Sequence, residues 1–323
     1  MILVTGGAGY IGSHVNKALN NAGYETVILD NLSKGFKDFV KWGEFVEGSL
    51  EDDDILDYVF TNYDIEAVMD FAAFISVGES VEFPEMYMKN NYENTLNLIR
   101  HMKKHNVNKI IFSSIAAVYG IPEEVPINEN HPLNPINTYG HSKVKVEEAL
   151  LADEDMEYVI FRYFNASGDD PDCEIGELHI PETHLIPIIL DAALGLRDSI
   201  SIFGDDYNTD DGTCVRDYIH VNDIAKAHIM GLEYLLNGGE SDIFNIGNGQ
   251  GFSVNEVIDV CKKVTGKDFT VKIEARRPGD PDILIADSKK IETKLNWKVE
   301  YSSLESIIES AWSWHQKLNE DKI

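Results

Sequence analysis

Residues 5–12 read Thr-Gly-Gly-Ala-Gly-Tyr-Ile-Gly, and this glycine-rich stretch decides the fold. It lies between an apolar run that predicts a buried strand, Ile2–Thr5, and a pattern that predicts a helix over Tyr10–Ala22. Glycines permit the tight turn and let the backbone approach a pyrophosphate, which the free N–H groups of the helix start can bind. The stretch therefore predicts a dinucleotide site with contacts at Gly6, Gly9, Tyr10, Ile11 and Gly12.

An acidic residue follows at the position where such a site needs one. Asp30 closes the second predicted strand, Thr26–Leu29, and lies 18 residues after Gly12. A carboxylate there binds the adenosine ribose 2′-hydroxyl and disfavours a 2′-phosphate, so the sequence predicts NAD rather than NADP. The alternative is a glycine-rich turn of another α/β protein in which Asp30 caps a helix.

Strands and helices alternate through the first half of the chain. This predicts an α/β fold of Rossmann type, a doubly wound parallel sheet with a smaller C-terminal substrate-binding lobe. The predicted helices include 55–61, 85–105 and 142–152, and the predicted strands 67–70, 109–113 and 158–163. We predict an NAD-binding domain over 1–168, with segments around 215–240 packing back on it, and a second lobe over 169–323, to which the family resemblance given below assigns UDP-sugar binding.

The charge balance narrows the classes of partner. Among 323 residues the formal net charge is −29, which disfavours nucleic acid and anionic membrane surfaces. No apolar run reaches the roughly 18 residues of a membrane span, and Ile2–Val4 is too short for a signal peptide. Only three cysteines occur, far apart, so we expect a reducing, cytoplasmic location without disulfides.

Tyr139 and Lys143 lie four residues apart at the start of a predicted helix. This spacing places both side chains on one helix face, where an ammonium would lower the pKa of the phenol. Such a tyrosine can remove a proton from a sugar hydroxyl while hydride leaves the same carbon. The alternative is an ordinary surface pair, because this spacing is common by chance.

Several further segments resemble the nucleotide-sugar 4-epimerases of the extended short-chain dehydrogenase/reductase family. They are LDNLS (29–33), FAAFISVGESV (71–81), NNYENT (90–95), FSSIAAVYG (112–120), YGHSK (139–143), RYFNASG (162–168), HLIP (184–187), IFGDDYNTDDGTCVRDYIHV (202–221) and RRPGD (276–280). The resemblance extends from end to end, and the stretch around Arg216–His220 is its most specific part.

The resemblance implies reversible 4-epimerisation of UDP-galactose and UDP-glucose through a transient 4-keto sugar, with tightly bound NAD. It implies that Tyr139 and Lys143 are catalytic and that the chain forms a homodimer. Further cofactor contacts would be Asn31, Ser33, Lys34, Gly35, Ser49, Leu50, Phe71, Ala72, Ala73, Asn90, Ser113, Tyr163 and Phe164. Substrate contacts would be Ser114, Tyr139, Asn165, His184, Phe203, Arg216, Arg277, Asp280 and Leu284.

Four positions depart from the family pattern, and one of them, Ile75, which is a Lys in some members, is interpreted as subfamily variation. Ile115 replaces the Ser or Thr that relays the proton of the sugar 4-oxygen, and the neighbouring Ser114 should point the other way along a strand. Leu284 replaces a frequent Tyr, which suggests room for an N-acetyl group, and Ser49 replaces a frequent Asp near the adenine.

Two alternatives to the main hypothesis stay open. One is another nucleotide-sugar enzyme of this fold, a UDP-GlcNAc 4-epimerase, a dehydratase or a decarboxylase. Ala116 and Ala117 replace the acidic pair of the dehydratases, which argues against that chemistry. The other is a catalytically weak protein that binds NAD or a nucleotide sugar, suggested only by Ile115.

No metal site is predicted. His101 and His105 share a helix face, but no acidic third ligand accompanies them in the sequence, and Lys103 and Lys104 lie between them. The apolar face that begins at Leu304 near the C-terminus is predicted to be core.

Overall fold

The structure of the protein is a computed structural model that describes residues 1–277 and 279–320. The strands are β1 Ile2–Thr5, β2 Thr26–Asp30, β3 Glu44–Glu47, β4 Ala67–Asp70, β5 Lys109–Ile115, β6 Glu157–Tyr163, β7 Asn165–Ser167, β8 Ser199–Phe203, β9 Val215–His220, β10 Asp242–Ile246, β11 Gly251–Ser253, β12 Thr270–Glu274 and β13 Ile283–Leu284. The helices are α1 Tyr10–Asn21, α2 Asp53–Asn62, α3 Val77–Glu82, α4 Pro84–Met88, α5 Asn94–Lys104, α6 Thr138–Ala152, α7 Leu185–Ala193, α8 Val221–Leu236, α9 Val254–Thr265, α10 Lys289–Leu295 and α11 Leu304–Leu318.

The main sheet confirms the predicted doubly wound architecture. Within the described residues it has seven parallel strands in the order β10-β6-β5-β4-β1-β2-β3. The chain leaves β1 toward β2 on one side and returns to β4 on the other. Ligands of such sheets bind outside the carboxyl ends of the strands at this reversal, between β1 and β4.

Alternation along the strands produces two cores, one on each face of the sheet. In β1, Ile2 and Val4 join the core beneath α1 and α8, whereas Leu3 joins the core beneath α2, α5 and α6. The predicted strand Thr26–Leu29 is observed with one further residue, Asp30. Strand β10, which the sequence reading missed, forms one edge of this sheet although it follows residue 168 by more than seventy positions.

The C-terminal half has its own core, formed by α7, α9, α11 and β8. The predicted apolar face of α11 lies in it, with Leu304, Ile307, Ile308 and Ala311 all buried. Helix α8 instead packs against α1 and β6 of the first half.

The long helix predicted over 85–105 is interrupted. Helices α4 and α5 are joined by a π-helical segment, Lys89–Glu93. The three cysteines are free, and none of the helices within the described residues is long and apolar enough to cross a membrane.

Candidate active site

A cavity of about 970 Å³ lies at the carboxyl ends of the central strands. It brings together all the side chains and turns that the sequence reading assigned to the cofactor. These are Gly6, Gly9, Tyr10, Ile11, Gly12, Asp30, Asn31, Ser33, Lys34, Gly35, Ser49, Leu50, Phe71, Ala72, Ala73, Asn90, Ser113, Tyr139, Lys143, Tyr163 and Phe164.

The glycine turn needs glycine at two positions for steric reasons. A Cβ on Gly12 would lie 2.3 Å from the backbone oxygen of Gly6, and one on Gly6 would lie 2.7 Å from the backbone nitrogen of Ala72. Gly6 also has a φ of +67°, which disfavours other residues. Gly9 begins α1, and among the described residues no side chain caps this helix start. Its first N–H groups therefore remain available to an anion in the cavity.

Asp30 is held rigidly at the end of β2. Its Oδ2 accepts a 3.0 Å hydrogen bond from the Ala8 backbone N–H, and its Oδ1 accepts a 2.8 Å bond from that of Leu32. Burial raises the pKa of this carboxyl above its ordinary value, while both hydrogen bonds act to lower it. The carboxylate is therefore oriented before any ligand arrives.

Tyr139 and Lys143 occupy the first turns of α6 and both line the cavity. The Asn137 side chain caps this helix by accepting a 2.8 Å hydrogen bond from the Gly140 N–H. A Cβ on Gly140 would lie 2.8 Å from the Ala117 backbone oxygen, so only glycine lets the helix start approach that turn. The sequence Tyr-Gly-His-Ser-Lys thus places the phenol and the ammonium beside the end of β5.

The electrostatics of this pair differ from the sequence expectation. The Lys143 ammonium donates a 2.7 Å hydrogen bond to the Ser113 backbone oxygen. Burial lowers the pKa of Lys143 to about 8, against the opposing effects of Asp70 and Glu147. The pKa of Tyr139 is raised, first by burial and then by the nearby Tyr87, so the predicted lowering of this pKa is wrong. Burial of the phenol is the largest cause of the shift.

Ile115 lines the cavity at the end of β5, where the family pattern has a hydroxyl. Ser114 was expected to contact substrate, but it is fully buried and its Oγ donates a 2.5 Å hydrogen bond to Glu147 Oε1. Strand alternation turns its side chain to the opposite face, so Ser114 is withdrawn as a direct substrate contact.

Four other predicted substrate residues lie outside the lining of the main cavity and form what we call the arginine cluster: Phe203, Arg216, Arg277 and Asp280. The Arg216 guanidinium pairs with Asp280, and the Arg277 guanidinium lies over the Phe203 ring at 4.0 Å from its centre. The remaining four, Tyr139, Asn165, His184 and Leu284, line the cavity itself.

Strand pairing shows how the arginine cluster adjoins the cavity. Arg216 is paired in register with Leu284 on β13, and Tyr218, two residues further along β9, is paired with Asn165 on β7. Residues two apart on a strand share a face, and Leu284, Tyr218 and Asn165 all line the cavity. The cluster therefore continues the same face at the end of the cavity.

Three groups in the wall of the cavity or next to it were not predicted from the sequence. Asp70 closes β4 and is almost fully buried, and burial raises the pKa of its carboxyl. Its Oδ1 accepts a 2.5 Å hydrogen bond from Thr5 Oγ1. Glu177 and His179, from the irregular segment between β7 and α7, also line the wall. The dense His and Glu pattern of residues 177–184 was the available signal.

The expectation that His101 and His105 lack an acidic neighbour is wrong in three dimensions. Asp57 of α2 lies 2.9 Å from His101 Nδ1 and 3.0 Å from His105 Nε2. A residue 44 positions away in the chain cannot be found by spacing alone. Lys104 Nζ is 2.7 Å from the same carboxylate, so this cluster already contains its cation.

Several known proteins are similar to this chain over nearly its full length. The NAD dependent epimerase/dehydratase family matches residues 2–247. A protein of Halalkalibacterium halodurans named UDP-glucose 4-epimerase is 50% identical over 319 residues, covering 98% of this chain and 96% of its own. The crystal structure of UDP-glucose 4-epimerase from Brucella ovis in complex with NAD has 45% identity and a TM-score of 0.94, with 97% of each chain covered. The UDP-Glc/GlcNAc 4-epimerase of Campylobacter jejuni has 44% identity and a TM-score of 0.85, covering 98% of this chain and 99% of its own.

Proposed function

The chain belongs to the NAD dependent epimerase/dehydratase family, and from this premise we propose that it interconverts UDP-galactose and UDP-glucose with bound NAD. The observation that carries the proposal is the meeting of the glycine turn, Tyr139 and Lys143 in one cavity. A dehydratase or decarboxylase is disfavoured, since Ala116 and Ala117 line the cavity at the end of β5 and provide no acid.

The residues present fit NAD. The turn leaves no space for a side chain at Gly6 or Gly12, and both glycines line the cavity beside an uncapped helix start. Asp30 presents an oriented carboxylate that suits the two hydroxyls of an unphosphorylated ribose. We assign these groups to the adenosine half and Lys143, Tyr163 and Phe164 to the nicotinamide half.

NAD, when bound, supplies a reversible acceptor for the hydride at C4 of the sugar. Tyr139 Oη takes the proton of the 4-hydroxyl as that hydride leaves, and it returns the proton when the 4-keto sugar is reduced from the opposite face. The phenol has a raised pKa here, so it must be deprotonated with help from positive charge close to it. Lys143 is the nearest candidate on the same helix face.

The arginine cluster is proposed to hold the UDP group while the keto sugar turns. Guanidinium groups match phosphate oxygens in a bidentate manner, and Arg216 is 90% buried in its side chain. Asp280 forms an ion pair with Arg216 and orients its guanidinium group. The Arg277 guanidinium group stacks on the Phe203 ring. Asn165 and His184 would contact the substrate between this cluster and Tyr139.

A coupled assay tests the proposal directly. Protein with quantified NAD is mixed with UDP-galactose, and UDP-glucose is measured through its specific dehydrogenase. We expect turnover in the wild type and a loss of about 10²–10⁴-fold in Tyr139→Phe, because general-base catalysis is removed. Tyr58→Phe, at an exposed position, is the matched control. Absence of turnover in NAD-loaded wild type would favour the alternative of a binding protein.

A second candidate function rests on Leu284. This residue lines the cavity where the family often has Tyr, and the similar Campylobacter jejuni protein is a UDP-Glc/GlcNAc 4-epimerase. We therefore include UDP-GlcNAc and UDP-GalNAc among the proposed substrates.

The division at residue 168 is proposed as a functional one, with β10 and α8 belonging to the cofactor half. The protein is proposed to act in the cytoplasm as a homodimer. Exposed apolar side chains at Val81 and Leu151 support the dimer, with 65% and 55% of their surface accessible. A dimer mass in light scattering would support this assembly, and a monomer mass at micromolar concentration would exclude it.

A further inference from the structure

Four ligand-type side chains converge on one wall of the cavity, within residues 177–184. One nitrogen or oxygen atom from each of Glu177, His179, Glu182 and His184 lies within 4.8 Å of the others. His184 Nδ1 is 2.8 Å from Glu182 Oε1 and 3.1 Å from Glu177 Oε1. His179 Nδ1 is 3.3 Å from Glu177 Oε1 and 3.5 Å from Glu182 Oε2.

These separations suit a tetrahedral ion. Zinc binds imidazole nitrogen and carboxylate oxygen at about 2.0–2.1 Å, which places neighbouring ligands about 3.3 Å apart. The two imidazole nitrogens lie 3.1 and 3.3 Å from the same oxygen, Glu177 Oε1, close to that edge length, and 2.8 and 3.5 Å from the two oxygens of Glu182. Two imidazoles and two carboxylates are also a ligand set that zinc accepts.

Among the described residues, the two carboxylates of the cluster are paired only with imidazoles, which carry positive charge only when they are protonated. Across the described ranges, the carboxylates of Glu177 and Glu182 have imidazoles but neither a lysine nor an arginine as ion-pair partners. A third buried carboxylate, Asp169, accepts a 2.5 Å hydrogen bond from the Glu177 N–H through its Oδ1. Buried carboxylates need compensating charge, because desolvation is costly.

Two other groups of ligand-type residues within the described part of the chain contrast with this cluster. Lys104 neutralises Asp57 beside His101 and His105. Lys17 Nζ lies 2.8 Å from Asp170 and from Glu174. In both cases a lysine occupies the place of a metal ion.

The orientation of one imidazole is a separate observation. His179 Nδ1 is a buried atom that makes no hydrogen bond of good geometry within the described residues. It is nearly equidistant from two carboxylate oxygens instead of being directed at either. Buried polar atoms are almost always paired, so this nitrogen indicates a missing partner between the carboxylates.

We propose that Glu177, His179, Glu182 and His184 bind one Zn²⁺ ion in the wall of the active-site cavity. Four protein ligands leave no open position, so the ion is structural. It fixes the segment that follows Gly168 against α1, where Tyr10 Oη donates to the Gly168 oxygen and the Tyr10 ring contacts His179 edge-on. With its Nδ1 bound to the metal, the His184 ring has only Nε2 left to contact a substrate in the cavity.

Zinc binding to the intact, NAD-loaded protein tests the site. The protein is dialysed against EDTA, mixed with ZnCl₂ and desalted, and zinc and NAD are quantified by mass spectrometry and absorbance. We expect one zinc per chain and a higher Tm with ZnCl₂. His179→Ala and Glu182→Ala should lose more than the roughly 10–100-fold in zinc affinity that an outer-shell partner contributes.

The matched control is His101→Ala, which removes a buried histidine from the cluster that Lys104 already neutralises. It should retain zinc at the wild-type stoichiometry. Wild type without stoichiometric zinc and without a Tm response would overturn the proposal, as would a zinc content equal in wild type, His179→Ala and Glu182→Ala. If a variant fails to fold, the wild-type stoichiometry and Tm response alone decide the outcome.

Discussion

The hydroxyl of Ser114 donates a 2.5 Å hydrogen bond to Glu147 Oε1, on the side of β5 opposite to the cavity. Ser114 is therefore committed to a buried network and cannot replace the hydroxyl that Ile115 lacks. Arg162 joins the same network, with its Nε 3.1 Å from Glu147 Oε1. Because Ser114 is held in this network, a substitution of Ile115 tests the effect of the missing hydroxyl without a contribution from Ser114.

Ile115→Thr is expected to raise the turnover number. The new hydroxyl can hydrogen-bond the sugar 4-oxygen where charge develops, and such groups contribute about 10²–10³-fold in favourable sites. We expect a gain of about tenfold or more in kcat for UDP-galactose, measured in the coupled assay. Ile115→Val is the control, because it has nearly the shape of threonine without the oxygen. Equal rates for the two variants would show that Ile115 is not at the relay position.

Glu147→Gln is expected to destabilise the protein strongly. Arg162 and Glu147 are buried to 3% and 0% exposure of their side chains, so the substitution leaves a buried guanidinium without its counter-charge. The expected loss in the free energy of unfolding is about 3–5 kcal/mol, measured by urea denaturation. Glu148→Gln removes an exposed pair with Lys145 and should cost about 0–1 kcal/mol. A similar loss in both variants would contradict the argument.

Leu284→Tyr is expected to narrow the substrate range. The larger ring would fill the cavity beside Arg216, to which Leu284 is paired in register. Turnover of UDP-GlcNAc should fall at least tenfold relative to UDP-glucose, since overpacking a pocket costs about 1–3 kcal/mol. Leu284→Met, of nearly equal volume, should keep the wild-type ratio. Undetectable wild-type activity on N-acetyl sugars would refute the expanded substrate range.

His228 is expected to make the fold sensitive to acid. Burial lowers its pKa from 6.5 to about 4, and in the neutral ring Nδ1 lies 2.9 Å from the Ile224 oxygen while Nε2 lies 3.1 Å from the Tyr163 hydroxyl. Between pH 6.5 and pH 4, His228 is therefore protonated in the unfolded chain but neutral in the native state. Its contribution to the free energy of unfolding is fully present above pH 6.5 and is lost as the pH falls toward 4. From pH 7 to 5 this single group removes about 2 kcal/mol.

Urea unfolding at pH 7 and pH 5 measures this effect. The stability difference between the two pH values should shrink by about 2 kcal/mol in His228→Gln. His141→Gln, at an exposed position on α6, should leave the difference unchanged. An unchanged difference in His228→Gln would mean that the histidine is protonated or accessible in the native state.

Local patterns predicted much of the fold because they depend on neighbours in the chain. The glycine turn, Asp30 and the Tyr139–Lys143 pair each act within a few residues, and the structure brings all of them to one cavity. Strand β10 could not be foreseen in the same way. Its place at the sheet edge depends on pairing with β6, about eighty residues earlier.

The architecture, the cofactor turn and the arrangement of Tyr139 and Lys143 on one helix face follow from local patterns in the chain, because periodicity and glycine sterics are local. The tertiary structure alone brings Asp57 to His101, raises the pKa of Tyr139 by burial and turns Ser114 toward Glu147. It also decided that Glu177 and His179 meet Glu182 and His184 at one point. Distances between side chains and their loss of solvent arise when distant segments pack together, and no spacing in the sequence records them.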